Sequence, residues 1–428
     1  MDTIYALASA RGKSGVAVIR ISGPQAFAAG RAIAGALPAP RSSAVRHLRS
    51  STGEALDKAL VLTFSSGASF TGEDTVEFQI HGSPAIIDAL MRVLSAQGGL
   101  RMAEPGEFTR RALENGRLDL TQVEGLGDLI DSETELQRRQ ALDIMSGKLG
   151  GKVDRWRGDL IRAAALLEAV IDFADEEVPT DVLPEVRDLL AGVISDFKVE
   201  LAGASSAERI RDGFEVAILG RPNVGKSTLL NALAGRDAAI TSSVAGTTRD
   251  VIEVRMDIGG LPVTFLDTAG LRDTEDEVEA IGVARARQRG EAADLRVFLQ
   301  ESADEQPEIA LGPEDLLRHA KSDLSGSRNG VSGLTGDGVD QLVAEIEGIL
   351  STRVRNASSL VRERQRIALT EALGLLESAT DAVSTGNMSE EVVAEEIRRA
   401  IRTLERLVGR ISVDDVLDEI FASFCLGK

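Results

Sequence analysis

The sequence has a single cysteine, Cys425, in 428 residues, which excludes an intrachain disulfide framework and a cysteine zinc cluster. Aromatic residues are scarce at 3%, within an otherwise ordinary composition that is 43% hydrophobic. No apolar run approaches membrane-spanning length, and the opening MDTIYALASARGKSG lacks the long apolar core of a secretory signal. A cytoplasmic protein with no membrane partner is therefore expected. Positive charge is also in deficit: the net charge of −20 argues against a broad basic surface that coats nucleic acid, though not against local basic patches. Solubility is the simplest role for the excess acid. The length predicts two or three domains, each able to bury a full core.

What is present centres on FEVAILGRPNVGKSTLL, Phe214 to Leu230. Phe214, Val216, Ile218 and Leu219 predict a buried strand, Gly220 to Thr228 fit GxxxxGK[ST], and Leu229, Leu230, Ala232 and Leu233 give the next helix an apolar face. A polyphosphate needs a concave ring of backbone N–H groups followed by the positive end of a helix, and small residues such as Gly220 and Gly225 permit that ring. Lys226 is then placed to reach the β- and γ-phosphates and the Ser227 hydroxyl to hold Mg²⁺; Asn223, Val224 and Thr228 complete the loop. Downstream, Thr247 and Thr248 in TTRD offer a hydroxyl for the metal, and Asp267-Thr268-Ala269-Gly270 follows the apolar strand Val263 to Leu266. An Asp at a strand end orients Mg²⁺ through water, and the following Gly admits the γ-phosphate. These pieces together predict a nucleotide switch.

Guanine is usually selected by an NKxD element, and the matching residues here are Ala320-Lys321-Ser322-Asp323. The carboxylate of Asp323 and the stem of Lys321 remain while the Asn amide is missing. Ser332-Gly333-Leu334-Thr335-Gly336 has the look of the last guanine loop, with Gly333 where Ala is usual. GTP is the expected nucleotide because Asp323 keeps the role of reading the base donors.

Residues 1–117 predict a small α+β domain with strands at Val16 to Ile21, Ala59 to Phe64 and Thr75 to Ile80 and helices at Pro84 to Leu94 and Glu107 to Glu114. From 118 to 212 the pattern is helical. Thr121-Gln122-Val123-Glu124 reads as a capping box, Leu120, Val123, Leu126 and Ile130 as one helical face, and Trp156 to Val170 and Val182 to Leu201 as further helices. The acidic stretch Asp175 to Val178 before Pro179 is better read as a solvated helix end than as a cation site. The nucleotide domain occupies 213–350, and helices resume over 351–428. There Ile397, Ala400, Ile401, Leu404, Leu407 and Val408 form an apolar stripe beside Arg398, Arg402, Arg406 and Arg410, an edge that suits pairing with acidic neighbours better than RNA. The fold class expected is multidomain α/β, with a P-loop GTPase domain inserted into a helical domain, since insertions are tolerated where their ends lie close.

Four stretches, PGEFTRRALENGRLDLTQVEGL at 105–126, GRPNVGKSTLLN at 220–231, AGTTRD at 245–250 with DTAGLR at 267–272, and FCLGK at 424–428, resemble one family in the same order along essentially the whole chain. That family is the MnmE (TrmE) group of bacterial tRNA-modification GTPases. A generic GTPase would share the phosphate loop but neither the 105–126 block nor the terminal Cys-Leu-Gly-Lys.

The resemblance implies an N-terminal domain, 1–117, that binds a tetrahydrofolate derivative and makes a homodimer. It also implies a flavoprotein partner, MnmG, in a heteromeric complex, and modification of carbon 5 of the wobble uridine of certain tRNAs. Folate contacts are implied at Arg20, Glu77, Arg117 and Lys428, with Arg117 standing where Lys is common. Leu271 follows Gly270, so a Ras-type Gln is missing. Among Glu275, Asp276, Glu277 and Glu279 spacing alone does not choose, and the resemblance picks Glu279 to orient water, with Arg272 ordering the switch. It further implies K⁺ held by Asn223, Ser242, Val244 and Thr247 in place of an arginine finger, Mg²⁺ held by Ser227 and Thr248, and a switch loop that also includes Ser243, Ala245 and Gly246. Cys425 is placed by the terminal motif near the modification site, and Ile80 sits beside His81 where many relatives carry Cys. The competing readings are a ribosome-assembly-type RNA-binding switch and a GTP-controlled scaffold, both of which leave the 105–126 block and the terminus without a task.

Overall fold

The computed structural model describes residues 2–172, 182–236, 238–240, 253–267, 288–302, 305, 310–325, 329–385, 389–411, 420–421, 424 and 427. These divide into two compact units, 1–127 with 408–428 and 128–407.

The first unit is built on a six-stranded sheet of order β3-β4-β5-β2-β1-β6. Its strands are β1 (Thr3–Leu7), β2 (Ser14–Ser22), β3 (Ser43–Arg49), β4 (Ala55–Phe64), β5 (Thr75–Gly82) and β6 (Leu100–Met102). Alternation along β4 and β5 sends Ala59, Val61, Val76, Phe78 and Ile80 to one face. There α1 (Ala26–Ala34) and α2 (Pro84–Ser95) supply Ile33, Ile87, Leu90 and Leu94 to a shared core. Across β1, Ile4 and Ala6 pack with Phe108 of α3 (Glu107–Glu114).

Helix α4 (Leu120–Asp131) starts two residues away from where the TQVE pattern predicts. The Asp119 carboxylate accepts the Gln122 N–H at 2.8 Å and the Thr121 hydroxyl at 2.7 Å, and Gln122 Oε1 accepts the Asp119 N–H at 3.0 Å. The reciprocal box is thus Asp119 with Gln122, a charged acceptor displacing a hydroxyl. The buried face holds Leu120, Thr121, Val123, Glu124 and Gly125, while Ile130 is exposed.

In the second unit, the sheet runs β12-β11-β10-β7-β9-β8. Strands β7 (Phe214–Gly220), β9 (Leu261–Asp267), β10 (Leu295–Gln300), β11 (Leu316–Ala320) and β12 (Gly330–Val331) pair in parallel, and β8 (Glu253–Ile258) runs antiparallel to β9. Helices α5 (Glu135–Met145), α6 (Lys148–Asp172) and α7 (Leu183–Asp212) precede it. Then come α8 (Lys226–Ala234), α9 (Ser322–Ser325), α10 (Val339–Arg353), α11 (Glu363–Thr385) and α12 (Glu390–Leu407). The long helices flanking the sheet in sequence pack on each other, α6 against α7 and α12, and α11 against α7 and α12. Their basic edge is matched by acid: Arg398 pairs with Glu168 and Glu395, Arg402 with Glu395, and Arg406 with Glu371. No helix among the described residues is long and apolar enough to cross a membrane.

The chain's one tryptophan fixes the α6–α7 contact. Trp156 meets Phe197 edge to face, with centroids 4.9 Å apart, and its indole N–H donates to Asp196 Oδ2 at 2.9 Å. That hydrogen bond, with Arg155 adding, holds the Asp196 carboxyl below its usual value. Trp156→Ala is expected to cost about 3–5 kcal/mol and Trp156→Phe about 1 kcal/mol, measured by chemical unfolding followed by circular dichroism.

Candidate functional site

Strand β7 lies between β9 and β10 and delivers the 220–228 loop at its carboxyl end, the edge where open α/β sheets bind ligands. Phe214, Val216 and Ile218 enter the main core, and Ala217 and Leu219 enter a second cluster on the opposite face. A strand buried on both faces reads as a continuous apolar run. Gly220 has φ 142°, and a Cβ there would stand 2.4 Å from the Leu299 carbonyl oxygen of β10, so only glycine fits. Asn223 is exposed with a left-handed φ of 63°. Lys226, buried at the start of α8, donates to the Gly220 carbonyl at 2.6 Å and the Arg221 carbonyl at 2.9 Å. The Ser227 hydroxyl donates to Asp267 Oδ2 at 2.9 Å, bringing the loop and the end of β9 together. A hydroxyl and a carboxylate side by side are hard oxygen donors of the kind Mg²⁺ takes.

The base end lies on the same cavity, of about 280 Å³, which Val224, Gly225 and Thr228 share with Ala320, Lys321, Asp323, Ser332 and Gly333. Ala320 is buried at the end of β11, Lys321 takes a left-handed φ of 54°, and its ammonium pairs with Glu301 at 2.5 Å. The Ser332 hydroxyl accepts the N–H groups of Leu334 at 3.3 Å and Thr335 at 3.2 Å. The departure at Gly333 has a steric reason: a Cβ there would come within 2.5 Å of the Thr228 carbonyl carbon and the Leu229 nitrogen. The last loop therefore lies directly on the first turn of α8. Leu299, which lines the cavity, and Glu301, which holds Lys321, belong to no motif; the only signal near them is the set of apolar residues Leu295, Val297, Phe298 and Leu299 around Arg296.

In the first unit Arg20 and Glu77 face each other across β2 and β5 and pair at 2.8 Å. The Arg20 guanidinium carbon lies 5.5 Å from the ring centroids of both Phe70 and Phe108, a doubly stacked cation. Arg117 is exposed, and its side chain runs beside Gly72, where a Cβ would stand 3.3 Å from Arg117 Cγ. Asn115 ties the same loop by donating to the Thr71 carbonyl at 2.7 Å. Arg20, Glu77 and Arg117 thus gather around residues 70–77.

Next to them lies an ionic cluster that carries no motif. Arg111, 7% exposed along its side chain, reaches Asp2 at 2.8 Å, Glu73 at 3.1 Å and Glu107 at 2.9 Å. Arg101 pairs with Glu107 at 2.6 Å and with Asp2 at 2.5 Å. Burial pushes the Glu107 carboxyl up, but Arg101, the Glu104 N–H and Arg111 together hold it below its usual value; Arg101 foremost does the same for Asp2.

Ser242, Ser243, Val244, Ala245, Gly246, Thr247, Thr248, Thr268, Ala269, Gly270, Arg272, Glu279, Cys425 and Lys428 lie outside the described residues.

Two outcomes are expected from this geometry. Gly333→Ala should cost about 1–3 kcal/mol in thermal unfolding and weaken nucleotide binding in a labelled-nucleotide titration, because the loop and α8 must separate. The Glu107 and Asp2 carboxyls, depressed in the folded state, stabilise fully above their ordinary values of about 4 and lose that contribution as pH falls through the folded ones. Arg101→Met, which removes the foremost cause of both shifts, should flatten the acid limb of a stability–pH curve measured by urea unfolding.

Two family models match, one described as the GTP-binding protein TrmE N-terminus over residues 3–117 and one as the MnmE helical domain over 120–425. The chain is 60% identical over 429 residues to a tRNA modification GTPase MnmE of Cereibacter sphaeroides and 59% identical over 430 residues to one of Dinoroseobacter shibae, covering 100% of both chains in each case. Among solved structures, a crystal structure of an Aquifex aeolicus Era variant bound to GDP·AlF4⁻ is 28% identical over 32% of this chain and 56% of that one, with a TM-score of 0.24. With its N-terminal block and its helical segments both matched, and relatives alike from end to end, the chain belongs to the MnmE family of tRNA modification GTPases.

Proposed function

We propose that this protein hydrolyses GTP and uses that cycle, with the flavoprotein MnmG, to modify carbon 5 of the wobble uridine of certain tRNAs with a tetrahydrofolate one-carbon unit. The observation that supports this best is the meeting of Lys226, the Ser227–Asp267 pair and the Lys321–Asp323 element at one sheet edge, in a chain alike from end to end to MnmE relatives.

In this reading the backbone of 223–228 and Lys226 hold the phosphates, and Ser227 with Thr248 holds Mg²⁺, oriented by Asp267. Asp323 reads the base edge beside Lys321, Ser332 and Gly333. The residues of 242–247 and Thr268 to Gly270 close on the γ-phosphate. Asn223 with Ser242, Val244 and Thr247 holds K⁺, whose positive charge serves where an arginine finger would. Its exposed side chain on a left-handed residue suits an ion approached from outside the loop. Glu279 orients water and Arg272 orders the switch.

Folate binds in the first segment, 1–117, through Arg20, Glu77 and Arg117, joined by Lys428 of the 424–428 motif, with the Arg20–Glu77 pair opening or sharing its charges with the ligand. Cys425 lies near the modification chemistry. Segments 118–212 and 351–428 form one helical domain around the nucleotide domain, 213–350, in a cytoplasmic homodimer.

Hydrolysis by the purified protein is expected to be faster in K⁺ than in Na⁺ at matched ionic strength. Asn223→Ala should lose that difference, and an unchanged K⁺ response in the variant would remove the cation assignment. Glu279→Ala is expected to bind GTP normally and lose at least about 10²-fold in turnover, read in single-turnover assays.

A further inference from the structure

Strand β3 ends the sheet of the first unit and pairs only with β4, so its outer row of N–H and C=O groups has no strand beside it among the described residues. Along this edge the charge is of one sign. Arg41 precedes β3, Arg46, His47 and Arg49 lie on it, and Lys58 of β4 stands directly opposite His47. Arg41, His47, Arg49 and Lys58 are exposed and Arg46 is half-buried. His47, Arg49 and Lys58 share the face turned away from α1 and α2, because Leu48 between the first two turns into the core.

These cations are not neutralised locally. Between residues 36 and 64 the only carboxylates are Glu54 and Asp57. Asp57 is already engaged: it accepts the N–H groups of Lys58 at 2.7 Å and His81 at 2.8 Å, and meets His81 Nδ1 at 2.8 Å. Carbonyls hold two of the arginines instead, Arg46 donating to Ala36 at 2.6 Å and Val45 at 3.0 Å, and Arg49 to Gly53 at 3.0 Å. The arginines of α12 pair with glutamates, whereas Arg41, Arg46, Arg49 and Lys58 have no carboxylate partner among the described residues. Charge on an edge strand also keeps foreign strands from adding to the sheet. Acidic residues, which this chain has in excess, would serve that end equally.

We propose that the β3 edge is a docking surface for the phosphate backbone of tRNA. This rests on the reading of the protein as acting on tRNA, and adds to it a surface by which tRNA touches this chain directly. A net charge of −20 repels a polyanion at long range, so contact requires a local positive strip. Guanidinium forks match phosphate oxygens, and cations two residues apart on an extended strand stand about 7 Å from each other in a row. Contacts of this kind set register and orientation and carry no base code, so the edge positions tRNA without selecting its sequence.

The test is binding of a tRNA transcript to the full-length protein by fluorescence anisotropy across a salt series. It compares the wild type with a variant combining Arg41→Gln, Arg49→Gln and Lys58→Gln, and with Arg41→Lys combined with Arg49→Lys. The glutamine variant is expected to bind about a hundredfold more weakly near about 0.1 M salt, and its slope of log affinity against log salt should flatten by about two to three. The lysine variant should keep the wild-type slope, and Tm and GTP turnover should not move in either, because the substituted side chains lie in water. A glutamine variant with wild-type affinity and slope would overturn the surface. So would one that keeps tRNA binding but self-associates in sedimentation, since the charges would then only guard the edge. Loss of poly-glutamate binding with tRNA binding intact would assign the edge to an acidic protein and overturn the RNA reading. A wild-type protein that does not bind tRNA would overturn the surface and leave the modification reading standing, because a partner can present the tRNA. Binding as expected, in a protein that with MnmG leaves the wobble uridine unmodified, would overturn that reading and leave the surface standing.

Discussion

The nucleotide half of this molecule depends on backbone meeting backbone with no side chain between. At Gly220 the loop leaves β7 against the Leu299 carbonyl, and at Gly333 the last loop lies on the first turn of α8. Each contact fixes one side of the same cavity: the first brings β10 against the phosphate loop, and the second sets Ser332 and Leu334 against Thr228. A methyl group at either place would force apart elements whose separation defines the pocket. Phosphate and base ends are thus positioned by packing before any ligand is considered, which is the condition for binding without large reorganisation.

The two units handle charge differently. The helices of the second unit carry their arginines on exposed edges, paired with Glu168, Glu371 and Glu395, where screening leaves each pair a modest contribution. In the first unit Arg111 is buried among Asp2, Glu73 and Glu107, where removal of one partner leaves an uncompensated charge. This cluster adjoins the Arg20–Glu77 pair, since Glu107 and Phe108 are consecutive on α3 and the Phe108 ring lies on the Arg20 guanidinium.

Much of the fold was legible where a local period decides the structure. β7 and β9 are buried on both faces and read as apolar runs, and the stripe on α12 reads at helical spacing. Less legible were β1, β3 and β6: β1 is a short buried run with no alternation, β3 keeps only Leu48 fully buried, and β6 has three residues, none of them buried, whose partner β1 is distant in sequence. The cap of α4 was misread by two residues because Thr121 fits the hydroxyl pattern, whereas Asp119 makes the stronger, charge-assisted acceptor. At the site, the residue types of the phosphate loop named their own task. The reason for Gly333, the pairing of Arg20 with Glu77 and the ionic cluster around Arg111 are facts of three-dimensional proximity that no spacing encodes.

The central claim is that one cavity at the carboxyl edge of the second sheet takes a guanine nucleotide even though Ala320 replaces the usual amide. The most direct measurement is displacement of labelled GTP from the purified full-length protein, in Mg²⁺ buffer, by unlabelled GTP and by ATP. The account predicts displacement by GTP and little by ATP at the same concentration. Equal displacement by the two would contradict it, since Asp323 would then be reading nothing on the base.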